Sequence, residues 1–62
     1  MGLKNKILSE LEQNREVSLS GQELARQFGV SRNAVWKAVQ ALRQEGYDIQ
    51  STTNQGYRLR QA

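Results

Sequence analysis

The sequence predicts a mainly α-helical fold class, a three-helix core that ends in a small β-hairpin. Three observations carry this. Apolar residues recur at helical spacing in three successive segments of the first 45 residues, while glycines close the second and third of them. The second and third segments are separated only by Gly29-Val30-Ser31. After Gly46 the apolar period changes from helical to alternating, which is the signature of a strand pair.

The first helix is expected over roughly residues 3 to 14, where Leu3, Ile7, Leu8 and Leu11 share one face and Lys, Glu and Gln fill the other. Val17 and Leu19 flank Ser18, an alternation that suits a short strand or extended linker. Ser20 followed by Glu23 forms a capping box, in which each side chain satisfies the other residue's free backbone N–H, so a second helix starts there. Leu24, Ala25 and Phe28 make its apolar face, and Gly29 ends it by adopting the left-handed conformation. Ser31 is the next N-cap, opening a third helix from about Arg32 to Glu45 with Val35, Ala38, Val39 and Leu42 inward. Gly46 closes it as Gly29 closed the second. Tyr47, Ile49 and Ser51 then lie on one face of a strand, with Tyr57 and Leu59 continuing the pattern after a turn at Thr53-Asn54-Gln55-Gly56. The Gly falls two residues after the Asn, so the loop is longer than two residues.

Length and composition bound what these elements do. With 62 residues the chain is one domain, spanning 1–62, with a small core and marginal stability. It contains neither Cys nor His, which excludes disulfides, thiolate or imidazole metal sites and Ser/His/Asp triads. No apolar run approaches the roughly 20 residues of a membrane span. The start Met-Gly-Leu-Lys-Asn-Lys lacks a signal-peptide stretch, and Lys6 stands where a myristoylation motif has Ser or Thr. A cytoplasmic protein without cofactor or metal is expected. The net charge is +3. Its distribution is uneven: Lys4, Lys6, Arg15 and Arg26 balance Glu10, Glu12, Glu16 and Glu23, so the whole excess comes from Arg32, Lys37, Arg43, Arg58 and Arg60 against Glu45 and Asp48. Such asymmetry suits a surface that meets phosphates.

The informative segment is Gly21 to Leu42. A three-residue connection forces its two helices to cross steeply. Close approach at the crossing favours a small residue, and Ala25 sits one turn before Gly29, opposite Val35. Ala25, Gly29 and Val35 at this spacing are the pattern of a DNA-binding helix-turn-helix, and the hairpin behind it makes the fold a winged helix-turn-helix. At about 100° per residue, the side of the third helix opposite its apolar stripe carries Asn33, Lys37, Gln40 and Gln44, with Ser31 and Arg32 at its start. Arg or Lys reads guanine and Asn or Gln reads adenine in a major groove, and no carboxylate interrupts the run from Ser31 to Gln44. The hairpin is the candidate wing. Its polar tip, including Asn54 and Gln55, and Arg58 in the returning strand suit the phosphate backbone or the adjacent minor groove, while Ile49 and Leu59 turn inward. The DNA-binding residues expected from this pattern are Ser31, Arg32, Asn33, Lys37, Gln40, Asn54, Gln55 and Arg58.

Trp36 lies about 100° from the core direction. In a chain with only four aromatic residues, it is expected to pack, its ring covering the hairpin or the first helix. The competing role is stacking on nucleic acid or phosphate contact through the indole N–H. Tyr47 and Tyr57 are likewise expected to pack, with their hydroxyls at the surface.

From Ser20 to Leu59 the sequence resembles the N-terminal winged helix-turn-helix domain of the bifunctional biotin protein ligases, the biotin operon repressors. The stretches that carry the resemblance are Ser20-Gly21-Gln22-Glu23-Leu24-Ala25, Gly29-Val30-Ser31-Arg32-Asn33-Ala34-Val35-Trp36-Lys37, Leu42-Arg43-Gln44-Glu45-Gly46-Tyr47 and Gly56-Tyr57-Arg58-Leu59. The helix-turn-helix part is shared with other bacterial regulators; the Gly-Tyr-Arg-Leu close of the wing is more specific. The resemblance implies a repressor of biotin synthesis or transport genes. It also implies a following catalytic domain that makes biotinyl-adenylate and transfers biotin to a carboxylase lysine, with an adenylate-driven dimer on a two-part operator. That catalytic domain and its Gly-rich adenylate segment have no counterpart in these residues, so the chain itself is expected to be no enzyme. It is read as an excised domain, monomeric alone, whose parent binds an operator in double-stranded DNA as a homodimer; a stand-alone regulator is the alternative. Two other functions compete: the DNA-binding domain of another metabolite-responsive winged-helix regulator, and a winged helix used as a protein-interaction module. A protein-binding third helix would show apolar anchors, and here only Trp36 qualifies.

Overall fold

The computed structural model describes residues 2–15, 17–51 and 56–60. The elements run α1 (Leu3–Gln13), β1 (Leu19–Ser20), α2 (Gly21–Phe28), α3 (Arg32–Gln44), β2 (Ile49–Ser51) and β3 (Gly56–Leu59). This is the expected order of three helices and a hairpin, a winged helix-turn-helix.

Local chemistry sets the boundaries. At α2 the Ser20 hydroxyl accepts from the backbone N–H of Gln22 (3.1 Å) and Glu23 (3.4 Å). Only this half of the expected capping box forms. Ser20 already stands in a sheet ladder opposite Gly56, and the Glu23 carboxylate lies 3.7 Å from the Arg26 guanidinium one turn on. At α3 the Ser31 hydroxyl accepts from the Ala34 N–H at 3.1 Å. Both helices end in the same double-bonded turn. The Gly29 N–H reaches the Arg26 carbonyl and the Val30 N–H the Ala25 carbonyl; the Gly46 N–H reaches the Arg43 carbonyl and the Tyr47 N–H the Leu42 carbonyl. This Schellman arrangement needs a positive φ at the glycine, and φ is 68° at Gly29 and 106° at Gly46. The first helix has no such glycine. It stops at Asn14, whose backbone N–H and side-chain amide both donate to the Glu10 carbonyl, at 3.1 and 2.9 Å.

The hairpin is part of a three-stranded antiparallel sheet in the order β1-β3-β2. Ile49, Gln50 and Ser51 face Leu59, Arg58 and Tyr57, while Leu19 and Ser20 add on the far side of β3 opposite Tyr57 and Gly56. A two-stranded ribbon alone is marginal in water; here β1 covers its outer edge and ties it to the start of α2. The short strand therefore exists, shifted from its expected place. Val17 stays outside it, 52% exposed, because its N–H closes a turn on the Asn14 carbonyl. Ser51, expected on one face of the strand with Tyr47 and Ile49, is exposed, and its hydroxyl is taken up by Arg43.

The core is one cluster. Ile7 and Leu11 of α1 meet Leu24 and Ala25 of α2, then Val35, Ala38, Val39 and Leu42 of α3, and Ile49 and Leu59 close it from the sheet. Ala25 and Val35 share this cluster, as the steep crossing requires. Phe28, Val30, Tyr47 and Tyr57 pack against it partly buried. Trp36 corrects an expectation: it is 50% exposed and the core closes without it. The small residues at the crossing and the two strand residues already fill the interior, so no large ring is required there. No buried side-chain polar atom among the described residues lacks a partner. At the surface the Lys4 ammonium pairs with the Glu45 carboxylate, joining the start of α1 to the end of α3.

Candidate nucleic-acid interface

The exposed side of α3 is fixed by what its other side buries. Val35, Ala38, Val39 and Leu42 face the core, so the helical period turns Asn33 and Lys37 outward. Ser31, Arg32, Asn33 and Lys37 are all exposed, and Gln40 is half-buried one turn further on. These five expected residues all lie between the N-cap and the third turn of the helix. Neither Arg32 nor Lys37 makes a hydrogen bond or ion pair with any described residue. A helix with side chains is about 10–12 Å across and the major groove about 12 Å wide, so a helix of this kind fits the groove.

A second feature lies beside this patch. Arg32, Trp36 and Arg43 fall on one flank of α3, and that flank faces the sheet. Toward the helix start, a cleft of about 480 Å³ opens between Arg32, Asn33 and Trp36 on one wall and Ser51, Gly56 and Tyr57 on the other, with Gly21 and Gln22 at its end. Toward the helix end, Arg43 closes the gap. Its Nε and Nη2 donate to the Ile49 carbonyl at 3.0 and 2.8 Å, and Nη2 also donates to the Ser51 hydroxyl at 2.7 Å. One side chain thus ties α3 to the outgoing strand of the wing.

The wing residues divide. Arg58 is exposed on β3, facing Gln50 across the ladder, and its Nε donates to the Arg15 carbonyl at 3.1 Å. It braces the turn after α1 and also presents charge to solvent. Asn54 and Gln55, expected at the wing tip, lie outside the described residues. Sequence reasoning missed Gln22, Ser51 and Tyr57 as cleft walls and Arg43 as a brace. A signal for Arg43 was present: it follows Trp36 by seven residues, two helical turns, and so repeats the flank on which Trp36 lies. The strand that it reaches was not placed by any local pattern.

Among the described residues no group of His, Cys, Asp or Glu is placed to hold a metal ion, and no helix is long and apolar enough to cross a membrane. Comparison with known proteins agrees with the geometry. Residues 3–58 match the family described as "HTH domain". The chain is 37% identical over 57 residues, 92% of its length, to the bifunctional ligase/repressor BirA of Bacillus subtilis, and equally to that of Bacillus spizizenii. It spans 18% of the length of these relatives, matching their N-terminal region rather than the region that carries ligase catalysis.

Proposed function

This chain belongs to the HTH domain family, and from that premise we propose that it reads an operator in double-stranded DNA as part of a bacterial transcriptional repressor. The observation that carries the reading is the α3 face, where Ser31, Arg32, Asn33, Lys37 and Gln40 stand together with no carboxylate among them. A helix face that served only for solubility would mix signs of charge. Ser31 and Arg32, at the helix start, lie where phosphates approach, while Asn33, Lys37 and Gln40 have the donors and acceptors that distinguish base edges. Asn54, Gln55 and Arg58 extend the contact through the wing.

The relatives are named as ligase and repressor together. The finer reading is therefore a biotin-responsive operon repressor whose ligase and sensing functions reside in a further domain and whose dimer, in the cytoplasm, spans a two-part operator. Size supports the need for two copies. Each copy presents one α3 face, on a helix of 13 residues and so about 20 Å long, less than the roughly 34–36 Å between successive half-sites on one face of DNA. One copy covers one half-site.

The test is a titration of labelled duplex by fluorescence anisotropy at several salt concentrations. Binding should weaken with a log–log slope of about −0.9 per phosphate contacted. Arg32→Ala and Lys37→Ala should each weaken binding by about 1–3 kcal/mol if they touch bases. Salt-independent binding, or none even at low salt, counts against the DNA-binding reading, and parental affinity in both variants, each folding normally, rules out α3 as the reading element.

A further inference from the structure

Trp36 is the largest side chain of the protein, yet it stands half in water beside a core that does not use it. It lines the cleft between α3 and the sheet. Building on the DNA-binding reading above, we propose that this cleft seats one sugar–phosphate strand of the duplex and that Trp36 is the residue that holds it. The indole face packs on a deoxyribose, and its Nε1–H donates to a phosphate oxygen.

Three observations point this way. The first is charge: among the described residues, the cleft walls carry one cation, Arg32, and no acidic residue, a lining complementary to a polyanion. The second is position. The wall that holds Trp36 is the helix whose outer face would enter the major groove, and the opposite wall is the hairpin, including Ser51 and Tyr57. With the helix in the groove and the wing on the neighbouring backbone, the strand that borders the groove runs between them. The third is chemistry: an indole offers a broad apolar face and one donor with no acceptor, which matches a sugar beside a phosphate. A contact of this kind positions the duplex without reading its bases.

The protein contains a single Trp, so its intrinsic fluorescence reports Trp36 alone. Duplexes of mixed sequence, about 20 base pairs long, are titrated at low salt, where non-specific binding is strongest. Anisotropy of the labelled DNA reports binding, and acrylamide quenching of the tryptophan reports its access to solvent. In the saturated complex the quenching constant should fall at least severalfold. Trp36→Ala should weaken binding about tenfold, equivalent to about 1.4 kcal/mol, and equally for unrelated sequences. Its salt slope should be unchanged because no charge is lost, whereas Lys37→Ala should lower the slope by about one. Trp36→Phe should recover part of the loss.

If anisotropy rises while quenching stays at the free-protein value, DNA binding stands and the role of Trp36 is overturned. If anisotropy never rises, both fall. Quenching that drops with protein concentration alone, without DNA, would make this face a protein contact and overturn the proposal. The quenching measurement uses the parent protein, so it decides the matter even if a variant folds poorly.

Discussion

Removing the guanidinium of Arg43 separates two roles that charge alone confuses. By composition Arg43 belongs to the cationic excess of the second half of the chain, and so to a phosphate-binding surface. In the structure it braces the wing, with two donors converging on the Ile49 carbonyl and one on the Ser51 hydroxyl. Hydrogen bonds from charged donors contribute about 1.5–3 kcal/mol net. The two bonds to Ile49 share one acceptor, and Ser51 is exposed enough for water to replace the third. The brace as a whole is therefore worth about 1.5–2 kcal/mol, the lower end of that range for one such bond. In a domain of 60–100 residues, 1 kcal/mol shifts Tm by about 4–8 °C, so the expected fall is about 6–16 °C.

The variant to use is Arg43→Met, which keeps an unbranched stem against the sheet and a similar helix propensity. Arg43→Lys is its control: it restores the charge without the planar fork, and should recover little of the lost stability. Thermal unfolding followed by circular dichroism gives Tm. DNA titrations well below both transitions give the salt slope, which should match the parent's. A variant that melts like the parent but loses about one unit of salt slope would show Arg43 on a phosphate, and the bracing account would be wrong.

Two further substitutions test the core and the turn. Leu42→Ala removes a fully buried side chain from the last turn of α3 and should cost about 2–5 kcal/mol. That is comparable to the whole stability expected of a domain this small, so its far-UV spectrum should show substantial loss of helix at 25 °C. Gly29→Ala adds a methyl that meets nothing within 4 Å, so its cost comes from the φ of +68° alone. It should amount to about 1–2 kcal/mol, read as a lower denaturant midpoint with an unchanged m-value.

The fold was legible because each boundary is written in adjacent residues. Ser20 and Ser31 cap the helices that follow them, and Gly29 and Gly46 end the helices before them. Apolar spacing identified nearly every core residue, including Ile49 and Leu59, which are 4% and 3% exposed. What escaped was pairing between distant segments. Leu19 and Ser20 join β3 across more than thirty residues of intervening chain, and two residues are too few to carry a period. Trp36 escaped for a related reason. The tendency of tryptophan to be buried is a statistical preference, whereas its exposure follows from how completely Val35, Val39 and Leu42 fill the space beside it.

The same distinction sorts the cations, and with them the candidate site. Sequence places Arg32, Lys37, Arg43 and Arg58 in one basic half without saying which of them faces a ligand. Folding gives Arg43 to the Ile49 carbonyl and engages one donor of Arg58 with the Arg15 carbonyl. Arg32 and Lys37, exposed near the start of α3, make no such contact with a described residue. The electrostatic surface available to DNA is thus narrower than the net charge suggests, and its geometry depends on Arg43, a cation turned to the sheet. The brace at Arg43 holds the wing to α3, and that spacing sets the width of the cleft in which Trp36 and Arg32 stand. Loosening the brace should therefore weaken DNA binding by letting the two walls drift, leaving the number of phosphates contacted the same.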